Sequence, residues 1–282
     1  MNTGAARVAA RRRLAQAGFT EAEREANLLA AYLADVPPGQ LALHLEAAVE
    51  EARLDSLLAQ RLTGRPLQYV LGEAGFMGLS FQVGPDVLIP RADTEIIAEK
   101  AIALAQGLPA PLIADIGAGC GALAVSLAYH LPQAQAHAVD ISPAALIYAE
   151  KNARLNGFAA RCHFYSGDLL APLMARGLRF DIIVSNPPYI SRAEMENLPA
   201  EVKWEPFMAL CGGEDGLDFY RRLAQEAAPL LKPQGWLLLE HGWQQQEHVA
   251  AILKRAGWQI KERLNDYGGR ARGLLCSPSV EL

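Results

Sequence analysis

Apolar positions change their period twice along the chain. Up to about residue 72 they recur every three or four positions, with Ala26, Leu29, Ala30 and Leu33 on one stripe and Leu54, Leu57, Leu58 and Leu62 on another. This spacing predicts amphipathic helices that pack as a small bundle. Thr20 and Glu23 stand at capping-box spacing before the first stripe, Pro37-Pro38-Gly39 ends it, and Gly64 and Pro66 close the second. Between 72 and 87 the pattern becomes glycine-punctuated alternation (Phe76, Leu79, Phe81, Val83), which predicts a hairpin. Thereafter short apolar runs at 111–116, 134–139, 161–166, 181–185 and 235–240 read as strands. Helices are predicted from Thr94 as cap to about 105, at 122–130, from Ser142-Pro143 to Asn156-Gly157, at 217–231 and at 244–256. The runs at 258–264 and 272–276 are joined only by Asp266-Tyr267-Gly268-Gly269, so they pair antiparallel.

The fold expected is therefore α/β, strands alternating with helices, preceded by a helical bundle. The divisions are a helical domain over 1–72, a hairpin linker over 73–87 and the α/β domain over 88–282. No catalytic residue types cluster in the helical part, which suits recognition of a substrate; simple stabilisation is the plainer role. The segment 190–213 has weak periodicity and reads as an ordered loop beside the site, a candidate lid.

Composition narrows the function. An apolar fraction of 51% over 282 residues supports a full core. A net charge of −5 argues against clamping duplex DNA through many phosphates, so no direct nucleic-acid partner is expected. Cys120, Cys162, Cys211 and Cys276 are scattered without paired spacing, as reduced thiols of a cytosolic protein are, and point to neither zinc nor disulfides. No apolar run approaches membrane-spanning length. The acid-free, arginine-rich stretch from 5 to 18 lacks the serines of a transit peptide and reads as a surface helix with Arg7, Arg11, Arg12 and Arg13 outward.

Two motifs carry chemistry. The strand at 181–185 runs into Asn186-Pro187-Pro188-Tyr189, at the sheet edge where open α/β folds place their ligands. An amide or exocyclic amine nitrogen is a poor nucleophile that needs acceptors for its hydrogens rather than a strong base. The Asn186 side-chain oxygen and the Pro187 carbonyl can supply two, and Tyr189 can lie against a flat group. Upstream, Asp115 precedes Gly117-Ala118-Gly119-Cys120-Gly121, a loop that leaves room for a ligand before a helix. Gly117, Gly119 and Ala122 also satisfy the dinucleotide fingerprint, so NAD is a rival ligand. Asp140 ends the second strand, where an acid grips ribose hydroxyls in either case. At the third strand end Asp168 can accept from an adenine amino group and Leu169 offers an apolar wall. Asp115 before the glycines, together with an Asn-Pro-Pro-Tyr that has no part in hydride transfer, favours methyl transfer from S-adenosylmethionine.

With Arg65-Pro66-Leu67-Gln68-Tyr69-Val70-Leu71-Gly72, Val87 to Glu95 and Gly213 to Tyr220, these motifs resemble the release-factor glutamine methyltransferases over nearly the whole chain. The resemblance implies a Rossmann-like, mostly parallel sheet with one late antiparallel strand, in a cytoplasmic enzyme that methylates the glutamine of a Gly-Gly-Gln loop in peptide chain release factors. It implies that Asn186, Pro187 and Tyr189 are catalytic and that Pro188 and Arg91 help bind the substrate. Ala92 stands where a proline is common in the family, and Leu169 where an aromatic is. A ribosomal-protein glutamine methyltransferase and an adenine-specific DNA methyltransferase are the alternatives within this chemistry, and a non-catalytic S-adenosylmethionine-binding protein is the alternative outside it.

Overall fold

The computed structural model describes residues 1–279. Its contacts group them into two units, 1–73 with 199–204, and 74–198 with 205 onward. In the first unit, α1 (Thr3–Gln16) is capped by Asn2, whose side chain accepts from the Ala5 amide at 2.8 Å. It packs with α2 (Ala22–Leu33), α3 (Glu51–Arg61) and α4 (Leu67–Leu71) around Ala10, Leu14, Leu29, Leu54 and Leu58. The expected Thr20/Glu23 capping box does not form. Helix α2 starts after Glu21 without a side-chain cap, and Glu23 instead pairs with Arg11 at 3.2 Å.

The inner face of α3 also differs from expectation, since Leu62 is exposed and Arg61 is buried with Leu54, Leu57 and Leu58. An arginine tolerates that position because its charge is matched. Its Nε and Nη2 donate to the two Glu25 oxygens at 2.6 Å each, and Nη2 also reaches Glu201 at 2.6 Å. Its Nη1 donates to the Arg65 carbonyl at 3.0 Å, and the guanidinium stacks 4.2 Å over Phe19. Burial pushes the Arg61 pKa down, but the two carboxylates outweigh it and hold the group charged.

The second unit follows the α/β pattern. Strands β1 (Glu73–Phe76) and β2 (Leu79–Gln82) form the hairpin. Next come α5 (Glu95–Ala105), β3 (Leu112–Ile116), α6 (Ala122–His130), β4 (Gln135–Asp140), α7 (Pro143–Leu155) and β5 (Cys162–Ser166). Asn152 of α7 exchanges hydrogen bonds with Gln82 (2.7 and 3.0 Å), which ties the hairpin to this unit. A short α8 (Ala171–Met174) leads to β6 (Phe180–Ser185). Short helices α9 (Arg192–Met195) and α10 (Phe207–Leu210) lie in the 190–213 segment, whose ends are pinned where Ile190 bonds Leu210 (3.0 Å) and Gly212 bonds Ile190 (2.8 Å). The rest is α11 (Asp218–Glu226), β7 (Leu231–Glu240), α12 (Gln246–Arg255), β8 (Trp258–Asn265) and β9 (Ala271–Pro278).

The sheet order is β5-β4-β3-β6-β7-β9-β8, parallel except for β9, which runs antiparallel to both neighbours. Two boundaries move from those expected. Helix α11 stops at Glu226, five residues early, because a 3-10 turn carrying Pro229 intervenes. Strand β7 begins at Leu231, four residues early, by way of an irregularity in its pairing with β6, where Gln234 adopts φ 65°. All four cysteines are free, and Cys120, Cys162 and Cys276 are buried. Among the described residues no helix is long and apolar enough to cross a membrane, and no group of three or more candidate side chains is placed to hold a metal.

In the helical unit, Arg61→Met should keep the apolar stem but leave the Glu25 carboxylate nearly buried without its cation. Removing one partner of such a cluster costs about 3 kcal/mol. Denaturant unfolding measures this, and a loss below about 1 kcal/mol would mean that solvent reaches Glu25 freely.

Candidate active site

Strands β3 and β6 lie side by side with Asp115 opposite Val184 and Ile116 opposite Ser185. Their following loops therefore leave the sheet at neighbouring points. The Ser185 hydroxyl donates to the Ile116 carbonyl at 2.6 Å and stitches the two together. A cavity opens there, lined by Ile116, Gly117, Gly119, Val139, Asp140 and Ile141 on one side and by Ser185, Asn186, Pro187 and Pro188 on the other. Gly167, Asp168, Leu169, Asp86, Val87, Leu88, Met208 and Phe219 are also part of the wall.

The glycine loop folds onto itself. Gly117, Gly119 and Gly121 all have positive φ (82°, 53° and 82°), conformations that favour glycine. The Gly117 and Ala118 amides donate to the Val139 carbonyl, at 2.9 and 3.0 Å, and the Gly121 amide donates to Ala118 at 2.8 Å. Asp140 is pinned between the Gly119 amide on Oδ2 and the Ser142 amide on Oδ1, both at 2.8 Å. Burial raises its pKa, and these bonds oppose the rise. Asp115 lies beneath the loop, 1% exposed, where its Oδ2 accepts from the Ala124 amide of α6 at 3.1 Å. Burial pushes Asp115 up to about 7. Cys120 is also buried, its carbonyl accepting from Asn152 at 2.8 Å, and a Cβ on Gly121 would stand 3.1 Å from Ala149. Asp115, Ala118, Cys120 and Gly121 thus support the loop, while Gly117, Gly119 and Asp140 face the cavity.

Other candidate residues divide in the same way. Leu169 lines the cavity at φ 45°, and the Asp168 side chain is paired with Arg222 at 2.9 Å. Arg91 is paired with Glu205, a buried acid that also accepts from the Ile89 amide at 3.0 Å. Tyr189 packs against the core cluster behind the loop, its carbonyl accepting from Gln245 at 2.8 Å, and burial raises its pKa to about 12.

The Asn186 Nδ2 donates to the Thr94 hydroxyl at 3.1 Å. This corrects the role expected for Thr94, which sits in αR geometry (φ −72°) and makes no side-chain cap bond to α5. Sequence reasoning did not single out Glu240, Glu205 or Gln245. The only local sign for Glu205 was an acid between Trp204 and Pro206 in a loop of weak periodicity. Glu240, placed at the very end of an apolar strand, was legible as a strand-end acid like Asp140.

Family profiles match in two places, a methyltransferase small domain over residues 99–202 and a PrmC N-terminal domain over residues 5–72. The release factor glutamine methyltransferase of Moorella thermoacetica is 44% identical over 268 residues, 94% of each chain. That of Geobacter sulfurreducens is 48% identical over 210 residues, 74% of this chain and 72% of its own. The chain belongs to the release factor glutamine methyltransferase family. A solved methyltransferase from Pyrococcus furiosus superposes with TM-score 0.52 at 18% identity, covering 80% of this chain and 98% of that one. This likeness shows the fold alone.

S-adenosylmethionine is the cofactor of this methyltransferase family, and the cavity fits it. Its wall carries three acids, Asp86, Asp140 and Asp168, and no lysine, arginine or histidine. A sulfonium ligand suits such a wall; a pyrophosphate does not. The first turn of α6 already receives the Asp115 carboxyl, and the amides of Gly117, Ala118, Gly119 and Gly121 bond protein acceptors. The dinucleotide reading of the glycine loop therefore loses its phosphate site. Asp140 has lone pairs left for ribose hydroxyls, and Val139, Ile141 and Leu169 offer apolar surface to an adenine.

Asp140→Ala should weaken S-adenosylmethionine binding by about 1.5–3 kcal/mol for each ribose hydrogen bond lost. Titration calorimetry checks this. An affinity equal to that of the parent protein would remove Asp140 from the ligand set, and tight binding of NADH would restore the rival.

Proposed function

We propose that the enzyme transfers the methyl group of S-adenosylmethionine to the side-chain amide nitrogen of the glutamine in the Gly-Gly-Gln motif of peptide chain release factors. One observation carries the acceptor assignment. The Asn186 carboxamide stands on the cavity wall with its nitrogen spent on Thr94, so its oxygen is the end free to accept from a substrate. The Pro187 carbonyl follows it, and no backbone amide among the described residues bonds that oxygen. Two acceptors beside each other suit a neutral group with two N–H donors. The relatives' names, which specify release factors and glutamine, support the same substrate.

The bound cofactor supplies an electrophilic methyl group on a sulfonium. The protein supplies position: Asn186 and Pro187 hold the amide hydrogens and so fix the direction of the nitrogen lone pair. Orientation of this kind contributes about 7–11 kcal/mol, so no general base is needed. The amide nitrogen becomes acidic only once it is alkylated, and its proton then leaves readily. The helical unit, which lacks any cluster of catalytic side chains, is assigned to recognition of the release factor. The setting is the cytoplasm, where release factors act, with neither nucleic acid nor membrane as a direct partner.

Asn186→Ala should lower single-turnover methyl transfer by about 3 kcal/mol, a hundredfold or more, while cofactor affinity stays nearly the same. Replacing the substrate glutamine by glutamate should abolish the reaction, since a carboxylate brings only acceptors to a site made of acceptors. Radiolabelled transfer to purified release factor reads both. Parent-like rates for Asn186→Ala would reduce Asn186 to a turn residue, and methylation of ribosomal protein or DNA in preference to release factor would replace the substrate.

A further inference from the structure

Pro187 and Pro188 have no backbone N–H, so the middle of the Asn-Pro-Pro-Tyr turn cannot bond back to the sheet through its own amides. Its course after β6 has to be fixed from elsewhere. The carbonyl that closes the turn, that of Tyr189, accepts from the Gln245 side chain at 2.8 Å, across 56 positions of sequence. Gln245 occupies the N-cap position of α12, yet its side chain makes no cap bond there and turns back to the loop instead.

The Gln245 carboxamide has one possible direction. Its Oε1 accepts from the Gly242 amide at 3.0 Å, a group that can only donate. Its Nε2 donates to the Tyr189 carbonyl and, at 3.5 Å, to the Gly216 carbonyl, groups that can only accept. The backbone behind it is fixed as well: the Gln245 amide donates to the Gly242 carbonyl at 2.8 Å, and the Val249 amide donates to the Gln245 carbonyl at 2.9 Å. Three glycines leave the room. A Cβ on Gly242 would stand 2.8 Å from Oε1, one on Gly216 2.8 Å from Nε2 and hard against the Tyr189 carbonyl, and one on Gly212 2.6 Å from the Pro188 carbonyl. The glycine-rich stretch at 212–216 thus packs as bare backbone against the turn, with Gly216 at φ 76°.

We propose that Gln245 is a positioning residue that holds the Asn-Pro-Pro-Tyr turn from outside the cavity, and so aims the Asn186 and Pro187 acceptors at the substrate amide. The proposal rests on those two as the acceptors. Gln245 is not part of the cavity wall, whereas Asn186, Pro187 and Pro188 are, so its influence reaches the reaction only through the turn it grips. Orientation of the acceptors is what the methyl transfer depends on, and a turn free to drift loses it while the glycine loop and Asp140 stay in place.

The test is single-turnover methyl transfer to release factor across a range of pH, with cofactor affinity measured alongside, for Gln245→Met, Gln245→Glu and Asn186→Ala. Gln245→Met keeps the length of the side chain without its polar end, and should lose about tenfold in turnover with unchanged cofactor affinity. Gln245→Glu keeps the acceptor for Gly242 but sets a carboxylate oxygen against two carbonyl oxygens, so at neutral pH it should lose at least as much. Crowded by those oxygens, its carboxyl should titrate above the ordinary glutamate value of about 4.3, and once protonated it can donate to Tyr189. The Gln245→Glu rate, taken as a ratio to the parent at each pH, should therefore climb several-fold as pH falls, while the Gln245→Met ratio stays flat. Around the slot, Asp215 and Asp218 are paired with Arg221, Glu214 with Arg192 and Glu247 with Arg263; these, with Tyr189, Glu240, His241 and His248, titrate in parent and variant alike, and the ratio removes them. A flat Gln245→Glu ratio, or cofactor affinity lost in step with turnover, would make the contact general support for the fold and overturn the proposal. If Asn186→Ala is impaired while Gln245→Met keeps the parent rate, the positioning role fails alone; if Asn186→Ala is active, the acceptor assignment fails with it.

Discussion

The site depends on the register between β3 and β6. With Ile116 opposite Ser185, and the Ser185 hydroxyl on the Ile116 carbonyl, the glycine loop and the Asn-Pro-Pro-Tyr loop leave the sheet from adjacent positions. A slip of one residue would turn the buried side chains of a strand to the opposite face and carry the second loop away from the first. The neighbouring registers extend the arrangement. Asp140 on β4 and Glu240 on β7 end their strands on either side, one held by loop amides and the other next to Asn186. One edge of the sheet thus gathers the glycine loop, Asp140, Asn186 and Glu240.

The two acids beneath the site act in different ways. Asp115 occupies the start of α6, a place where many nucleotide folds leave backbone amides for a phosphate. A buried carboxyl there makes the loop a scaffold, with Gly117, Gly119 and Asp140 on the cavity wall. Glu240 ends β7 one position past Leu239, 1% exposed beside Asn186 and with its Oε2 unpartnered. Both carboxyls are raised to about 7 by burial, so their charge is held in place by neighbours rather than by solvent.

The segment after Asn-Pro-Pro-Tyr links the two units in sequence. Residues 199–204 pack with the helical unit, where Glu201 meets Arg61, while Glu205 turns into the second unit to bond Ile89 and Arg91. Six residues of one loop therefore belong to a different core from the residues on either side. This accounts for the weak periodicity of 190–213, since its anchors are ion pairs and backbone bonds and not an apolar stripe.

The sequence alone was enough to read the helical bundle, the hairpin, the α/β order, the late antiparallel pair and both chemical motifs. Those features are written in short-range terms: side-chain period, breakers, and glycines where φ is positive. The partners of the site residues were not legible. Thr94 reads locally as a cap and Arg91 gives no sign of its partner, because the residues that engage them, Asn186 and Glu205, lie 92 and 114 positions away. Leu62 reads as the next core position of α3, but Arg61 takes the inner face because Glu25 and Glu201 meet it there, the latter 140 residues distant. Hydrogen bonds and ion pairs carry no periodicity, and a polar residue looks the same in sequence whether its partner is water or a buried side chain. Only the packing of distant strand ends decides which of the two it meets.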